Sequence, residues 1–380
     1  MDNKHTEQGA VSLFAVIFAA MLLSIITISF MGLMLRDQRQ ATNHDLSQSA
    51  YDAALAGVED AKRVLRACMQ GNGRACTALK AAHDCRVIQR AGIVTGAASS
   101  EVMIRSTSGR VGQQFDQAYT CVNITSDTDD YLYEARDGLS QLVPLRSRDE
   151  FDRVIVDWYM QSDLPSSAGG MIGAPAYATS LRGKLPPVGK WDVVRPAPPL
   201  MRAQIITPGA AFKLSDLDSS AASATFFFYP SIVHGAAAPL HVKTDDTARA
   251  THGTAHQTGL TSMTCSSGFG HDGYACRAII ELPTVSPAAS EHAFIRLTAL
   301  YKHAQVRVSL AKGPNAVLFR GVQPSVDATG RAASLFRRVD ARIQLGDTFP
   351  YPEQALESKH SICKDFAVTG STVRPGACTP

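Results

Sequence analysis

The stretch AVSLFAVIFAAMLLSIITISFMGLML, residues 10–35, contains no Asp, Glu, Lys, Arg or His. It directly follows Gly9, which closes a short polar segment at the start of the chain. Because an α-helix rises about 1.5 Å per residue, this stretch reaches roughly 39 Å, enough to cross a hydrocarbon layer about 30 Å thick with some tilt. The sequence therefore predicts a transmembrane helix over residues 10–35.

The helical pattern continues past Arg36, since no Pro occurs before Pro144. In this second half, apolar residues recur at three- and four-residue spacing, which predicts an amphipathic helix over residues 36–68. Those residues are Tyr51, Ala54, Leu55, Val58, Ala61 and Leu65. Gly71 and Gly73 mark the predicted end, because Gly readily adopts the left-handed backbone that ends helices. One continuous rod from residue 10 to about residue 67 would be roughly 87 Å long.

The order of these parts resembles the type IV prepilin-like proteins: a short polar leader, Gly, an apolar helix, an amphipathic helix and then a β-rich body. Within that superfamily, QGAV at residues 8–11 and AYDAAL at residues 50–55 look most like the large minor pilins and the large minor pseudopilin of type II secretion. The resemblance covers about the first 68 residues. It implies that a prepilin peptidase cuts after Gly9 and methylates the new amino terminus at Ala10.

The family's major subunits carry Glu at the fifth mature position, where this chain has Phe14. An unpaired carboxylate at that depth costs about 2.5–3.5 kcal/mol on insertion scales, and the resemblance implies that major subunits use it to neutralise a neighbour's amino terminus. Phe14 lacks that group, as does the family's tip-located minor pseudopilin. We therefore expect a minor, tip or initiating subunit of a type IV pilus or related secretion machine rather than a repeated shaft subunit.

The resemblance also implies partners and a location. The partners are membrane lipid, other pilin-like subunits, prepilin peptidase and an inner-membrane assembly platform. The chain is expected to be a single-pass protein of the cytoplasmic membrane with its body outside. It would then enter a cell-surface filament, where the body serves assembly or adhesion.

The alternative is a signal-anchored extracytoplasmic enzyme or ligand-binding protein that does not polymerise. Any such anchor has an apolar stretch of this length, whereas a cleavable secretory signal has an apolar region of only about 7–15 residues. Flanking charges do not decide the orientation, since Lys4 and His5 precede the helix and Arg36 and Arg39 follow it.

Eight cysteines, an even number, indicate an oxidising compartment. By resemblance to the disulfide-closed loop near the C terminus of many pilins, Cys363 is paired with Cys378. Cys265 and Cys276 bracket a Gly-rich turn and form the second predicted pair. The other four leave three connectivities open. They are Cys68, Cys76, Cys85 and Cys121.

Beyond the long helix the sequence indicates mainly strands, so the predicted class is α+β. The helix is expected to pack on an antiparallel sheet, and a β-sandwich-like region is expected to follow. The expected strands lie at 86–94, 101–106, 118–124, 139–145, 153–159, 201–207, 224–229, 277–282, 293–301, 305–310 and 335–345. The predicted regions are a leader at 1–9, a transmembrane helix at 10–35, its amphipathic half at 36–68, a pilin-like sheet region at 69–149, a β-rich region at 150–347 and a C-terminal disulfide loop at 348–380.

Chemical motifs are weak in this chain. Ser361 and Lys364 match the bare Ser-x-x-Lys pattern of penicillin-recognising enzymes, but the further motifs of that chemistry are missing. The sequence also lacks Gly-x-Ser-x-Gly and His-Glu-x-x-His motifs, so neither an enzyme nor a cofactor is predicted. His252, His256 and His271 lie near Cys265 and Cys276, but exported cysteines oxidise and the spacing matches no common zinc module, so no metal site is expected. A formal net charge of +3 with scattered Lys and Arg predicts no specific nucleic-acid partner.

Overall fold

A computed structural model describes residues 8–80, 84–94, 101–104, 116–175, 188–192, 195–208, 223–233, 235–244 and 260–345, with the backbone alone described at 8–13, 233 and 260. These residues fall into two compact units. Unit 1 contains the residues up to Thr128 together with Arg320–Leu345, and unit 2 contains Asp129–Phe319. The fold is α+β, with one very long N-terminal helix and mostly strands elsewhere.

Helices account for the start of the chain and a few short segments. They are α1 (Gln8–Met69), α2 (Gly73–Lys80), α3 (Val87–Ala91) and α4 (Pro287–Ser290), with short 3₁₀ turns at Gln161–Asp163, Ser166–Ala168 and Val188–Lys190. The strands are β1 (Val102–Met103), β2 (Gln117–Thr128), β3 (Asp130–Ala135), β4 (Ser140–Pro144), β5 (Phe151–Met160), β6 (Leu200–Ile206), β7 (Ser223–Val233), β8 (Leu240–Lys243), β9 (Leu260–Ser266), β10 (Tyr274–Val285), β11 (Phe294–Leu300), β12 (Ala304–Lys312), β13 (Asn315–Val317), β14 (Phe319–Ala332) and β15 (Leu335–Arg342).

Helix α1 runs without interruption for 62 residues. It ends where the sequence predicts, because Gly71 adopts a left-handed backbone with φ of 88°. There the Gly71 N–H donates to Cys68 O at 2.9 Å and the Asn72 N–H donates to Ala67 O at 3.0 Å, which satisfies carbonyls of the last turn. The predicted end of the helix is therefore confirmed.

The second half of α1 packs on sheet A, whose strand order is β1-β2-β14-β15. Strands β1 and β2 pair in antiparallel orientation, as do β14 and β15. Small residues allow a close approach, since Ala50, Ala53, Ala54 and Ala61 are fully buried. A Cβ placed on Gly57 would lie only 2.9 Å from Val122 Cγ2, so the helix touches the sheet here through bare backbone.

The composition of sheet A differs from the prediction in two ways. Residues 86–94, predicted as a strand, instead contain α3, whose apolar Val87, Ile88 and Ala91 are buried. Their spacing places them on one side of a short helix, and Gly92 ends that helix with a left-handed backbone. The second difference is β15, which lies within the predicted β-rich region of residues 150–347 but belongs to unit 1 and pairs with β14.

The unit boundaries consequently differ from the predicted regions. The chain passes into unit 2 after Thr128 rather than at 149, and it returns to unit 1 at Arg320. The predicted run at 139–145 corresponds to β4, which belongs to unit 2. The physical reason is strand pairing between distant parts of the chain, which local sequence patterns do not encode.

Unit 2 consists of two sheets. Sheet B has the order β13-β12-β5-β10-β8 with β3 also paired to β12, and sheet C has the order β4-β11-β6-β7-β9. Both are mixed, because β8 pairs parallel to β10 and β9 parallel to β7. Trp158 of sheet B stacks on Phe228 of sheet C with ring centroids 6.0 Å apart, and the Cys265–Cys276 disulfide joins β9 to β10. The two sheets are therefore in direct contact and covalently linked.

Candidate functional site

The first half of α1 is the most unusual surface of the described chain. Its large apolar side chains from Phe14 to Leu35 are 46–73% exposed. Among the described residues this is the one helix that is long and apolar enough to cross a membrane. Two of its hydroxyl groups bond to the helix backbone, because Ser24 donates to Ala20 O at 2.8 Å and Thr27 to Leu23 O at 3.0 Å. The helix can therefore anchor the protein in a membrane.

The predicted processing residues lie at the start of this helix. Gly9 and Ala10 are in the first turn of α1, and Phe14 is exposed one turn later. The structure brings no catalytic side chain to them among the residues it describes. Cleavage after Gly9 and methylation of Ala10 stay predictions.

A charged stem separates the apolar half of α1 from its buried half. Residues 36–45 are exposed, Leu46 is the first partly buried residue after them, and Ala50 is the first buried one. Ten helical residues span about 15 Å. The apolar half could therefore lie in a bilayer while the packed half stays in water.

Three disulfides join the six cysteines that the structure describes. Cys68 is joined to Cys76, Cys85 to Cys121, and Cys265 to Cys276. The first bond ties the end of α1 to α2, and the second ties the segment before α3 to β2. The structure thus selects one of the three connectivities left open by the sequence, and it contains the second predicted pair. The first predicted pair, Cys363 with Cys378, lies outside the described residues.

Unit 2 contains a buried ion cluster that the sequence analysis missed. Asp157 on β5 is directly opposite Arg277 on β10 and Arg307 on β12. Its carboxylate, 0% exposed, accepts hydrogen bonds from Arg277 Nε at 2.6 Å and Arg307 Nη2 at 2.8 Å. The same two guanidinium groups donate to Asp272 Oδ2 at 3.0 Å and 2.8 Å. The sequence feature that could have revealed the cluster is Asp157, the only charged residue in the otherwise apolar run of residues 154–159. A buried charge in such a run requires charged partners.

The ion cluster holds the turn that carries Asp272 and His271. His271 is buried, and its Nε2 has no hydrogen-bond partner among the described atoms. Burial lowers the pKa of His271, and the positive charge of Arg277 lowers it further. Asp157 and Asp272 oppose this shift, whereas Arg307 adds to it.

We expect this histidine to make the protein less stable in mild acid. An unfolded His has a pKa of about 6.5, so on acidification the unfolded chain binds a proton before the folded chain does. Stability from neutral His271 is therefore present above that pH and is lost as the pH falls below it. Urea unfolding between about pH 7 and pH 5 should show this loss. His271→Gln should reduce the change in the free energy of unfolding per pH unit. If the free energy of unfolding changes equally with pH in the two proteins, His271 is not the source of the pH dependence.

The described residues contain no group of three or more His, Cys, Asp or Glu side chains that could hold a metal ion. His252 and His256 lie outside the described residues. No protein-family model, curated protein or solved structure matches this chain.

Proposed function

We propose that this chain is a pilin-like structural subunit, minor or tip-located, of a type IV pilus or a related filament or secretion machine. The observation that carries the proposal is α1, which is apolar and exposed over its first half and packed on a sheet by its second half. A plain signal anchor needs only the first of these features. The continuous helix makes the anchor a rigid extension of unit 1.

The proposed mechanism is assembly rather than catalysis. In the membrane, lipid tails cover the apolar half of α1. In a filament, the equivalent faces of other pilin-like subunits replace those tails, so extraction from lipid need not expose apolar surface to water. Phe14 fits this role at a tip or initiation point, because it places no charge in the apolar region.

The three disulfides support a body outside the cytoplasm, since such bonds persist in oxidising compartments. We therefore propose a single-pass protein of the cytoplasmic membrane whose β-rich body is presented outside for assembly or adhesion. We also propose that sheets B and C of unit 2 form a sandwich-like arrangement. The Trp158–Phe228 ring contact and the Cys265–Cys276 disulfide between these sheets support it. The proposed partners are prepilin peptidase, the assembly platform and other pilin-like subunits.

Mass spectrometry of the mature N terminus tests the proposal. We expect the protein from its native cells to lack residues 1–9 and to begin at N-methylated Ala10. Gly9→Val should retain the leader, because a branched side chain obstructs a site that a bare backbone leaves open. Gly32→Ala is the matched control, since nothing lies within 4 Å of a Cβ at that position.

The main alternative is a signal-anchored extracytoplasmic enzyme or binding protein. It predicts an intact Met1 and a protein that stays in the membrane fraction when filaments are sheared from the cells. Either an intact Met1 or a cut beyond residue 35 would exclude the pilin-like function.

A further inference from the structure

The outer face of sheet C carries two arginines on neighbouring strands. Arg202 of β6 is opposite Thr298, and Arg296 of β11 is opposite Gln204, so the two arginines are diagonal neighbours. They share one face because the residues that alternate with them point inward and are buried. Those inward residues are Met201, Ala203, Ile295 and Leu297.

Arg202 lacks the partners that other half-buried arginines of this unit have. It forms no ion pair within the described residues, and its Nε, which is buried, has no hydrogen-bond acceptor there. Its guanidinium lies over the Phe227 ring, 5.8 Å from the centroid. By contrast, Arg277 and Arg307 share two carboxylate partners, Asp157 and Asp272.

The electrostatics of Arg202 are correspondingly unfavourable. Burial lowers its pKa, and the positive charge of Arg296 lowers it further. A buried donor without an acceptor costs about 1–3 kcal/mol, and more when the group is charged. An unpaired cation of this kind is therefore expected where a bound group supplies the missing acceptor.

Two neutral polar side chains lie beside the arginines on this face, and one of them, Thr298, is buried. Thr298, opposite Arg202, shares a 2.9 Å hydrogen bond with the Ser140 hydroxyl of β4. Gln204 lies two residues along β6, opposite Arg296. Guanidinium, hydroxyl and amide groups on one face are the donors that bind the oxygens of an anion.

We propose that this face of sheet C is an oxyanion-binding site. Arg202 and Arg296 supply the charge, and the ligand is a carboxylate, sulfate or phosphate group. The group comes either from a free ion or from an anionic polymer outside the cell. The site is independent of the anchor and of any filament, so it stands or falls separately from the proposed function.

Calorimetric titration of the full-length protein in neutral detergent micelles tests the site. The probes are sodium sulfate, sodium glucuronate, heparin and, as an uncharged control, dextran, all at constant ionic strength. We expect wild type to bind at least one anionic probe and not dextran. Arg202→Gln should weaken that binding at least about tenfold, because it removes the charge and the Nε donor.

Arg338→Gln is the control for general loss of positive charge, since Arg338 is an exposed residue of unit 1 that is paired with Asp327. It should bind within about twofold of wild type. Without ligand, Arg202→Gln should melt no earlier than wild type, because removal of a buried donor without an acceptor offsets the loss of the contact with the Phe227 ring. Saturation by sulfate would identify a free ion as the source, and binding of heparin alone would identify a polymer. Equal affinity of wild type and Arg202→Gln, equal losses in the two variants, or no anion binding by wild type would each overturn the proposal.

Discussion

Replacing Gly330 by Ala is expected to unfold the helix–sheet core of unit 1. Gly330 lies on β14 directly against α1, and an added Cβ would overlap Ala50 O and Ala54 N and lie 2.9 Å from Ala53 C. All three are helix backbone atoms, which cannot move aside as a side chain can. Overpacking costs about 1–3 kcal/mol when neighbours can adjust, so we expect about 3 kcal/mol or more here.

The measurement is urea unfolding of the full chain in micelles, followed by far-ultraviolet circular dichroism. Both tryptophans, Trp158 and Trp191, lie in unit 2, so tryptophan fluorescence reports on that unit separately. Gly73→Ala is the matched control, because a Cβ at Gly73 would meet nothing within 4 Å. If Gly330→Ala unfolds at the same urea concentration as Gly73→Ala, the close contact between β14 and α1 does not exist.

Replacing Asp157 by Asn is expected to produce the largest loss of stability in unit 2. The substitution keeps the shape of the side chain but removes the charge that Arg277 and Arg307 share. Removing one member of a buried ion pair costs about 3–5 kcal/mol, because here the two guanidinium groups would keep only the exposed carboxylate of Asp272 as a partner. The urea midpoint measured by tryptophan fluorescence should fall accordingly.

Asp272→Asn is the matched control for this cluster. Asp272 contacts the same two arginines, yet its side chain is 68% exposed, so water can replace its interactions. Exposed ion pairs contribute about 0–1 kcal/mol, and we expect the control to lose no more than that. Equal losses in the two variants would show that burial of Asp157 does not determine the strength of the cluster.

Much of the secondary structure was predictable from local sequence. The uncharged run of residues 10–35 and the following amphipathic pattern predicted α1, and Gly71 predicted its end. Runs of β-branched and aromatic residues located β5, β6 and β10, because their side chains favour a pleated surface. The predicted strand at 86–94 was wrong, since its apolar spacing also fits the short helix α3.

Other strands were not predicted because they contain residue types that are common in turns. The longest, β14, contains Gly321, Pro324 and Gly330, which are depleted in strands and common in loops. Gly330 is nevertheless required there, because only a residue without a side chain fits against α1. Its role depends on a helix that lies far away in the sequence.

The sequence by itself determined the elements that depend on short-range physics: an apolar helix long enough to cross a membrane, its amphipathic continuation, its end and most strands. Only the tertiary structure decided which strands share a sheet, how four of the cysteines pair, and where charges meet. Thr120 of β2 donates a hydrogen bond to Thr329 O of β14, 209 residues away, and Asp157 meets Arg307 across 150 residues. Contacts at such separations are set by complementary burial, close packing and charge in the assembled fold, which no local pattern of residues records.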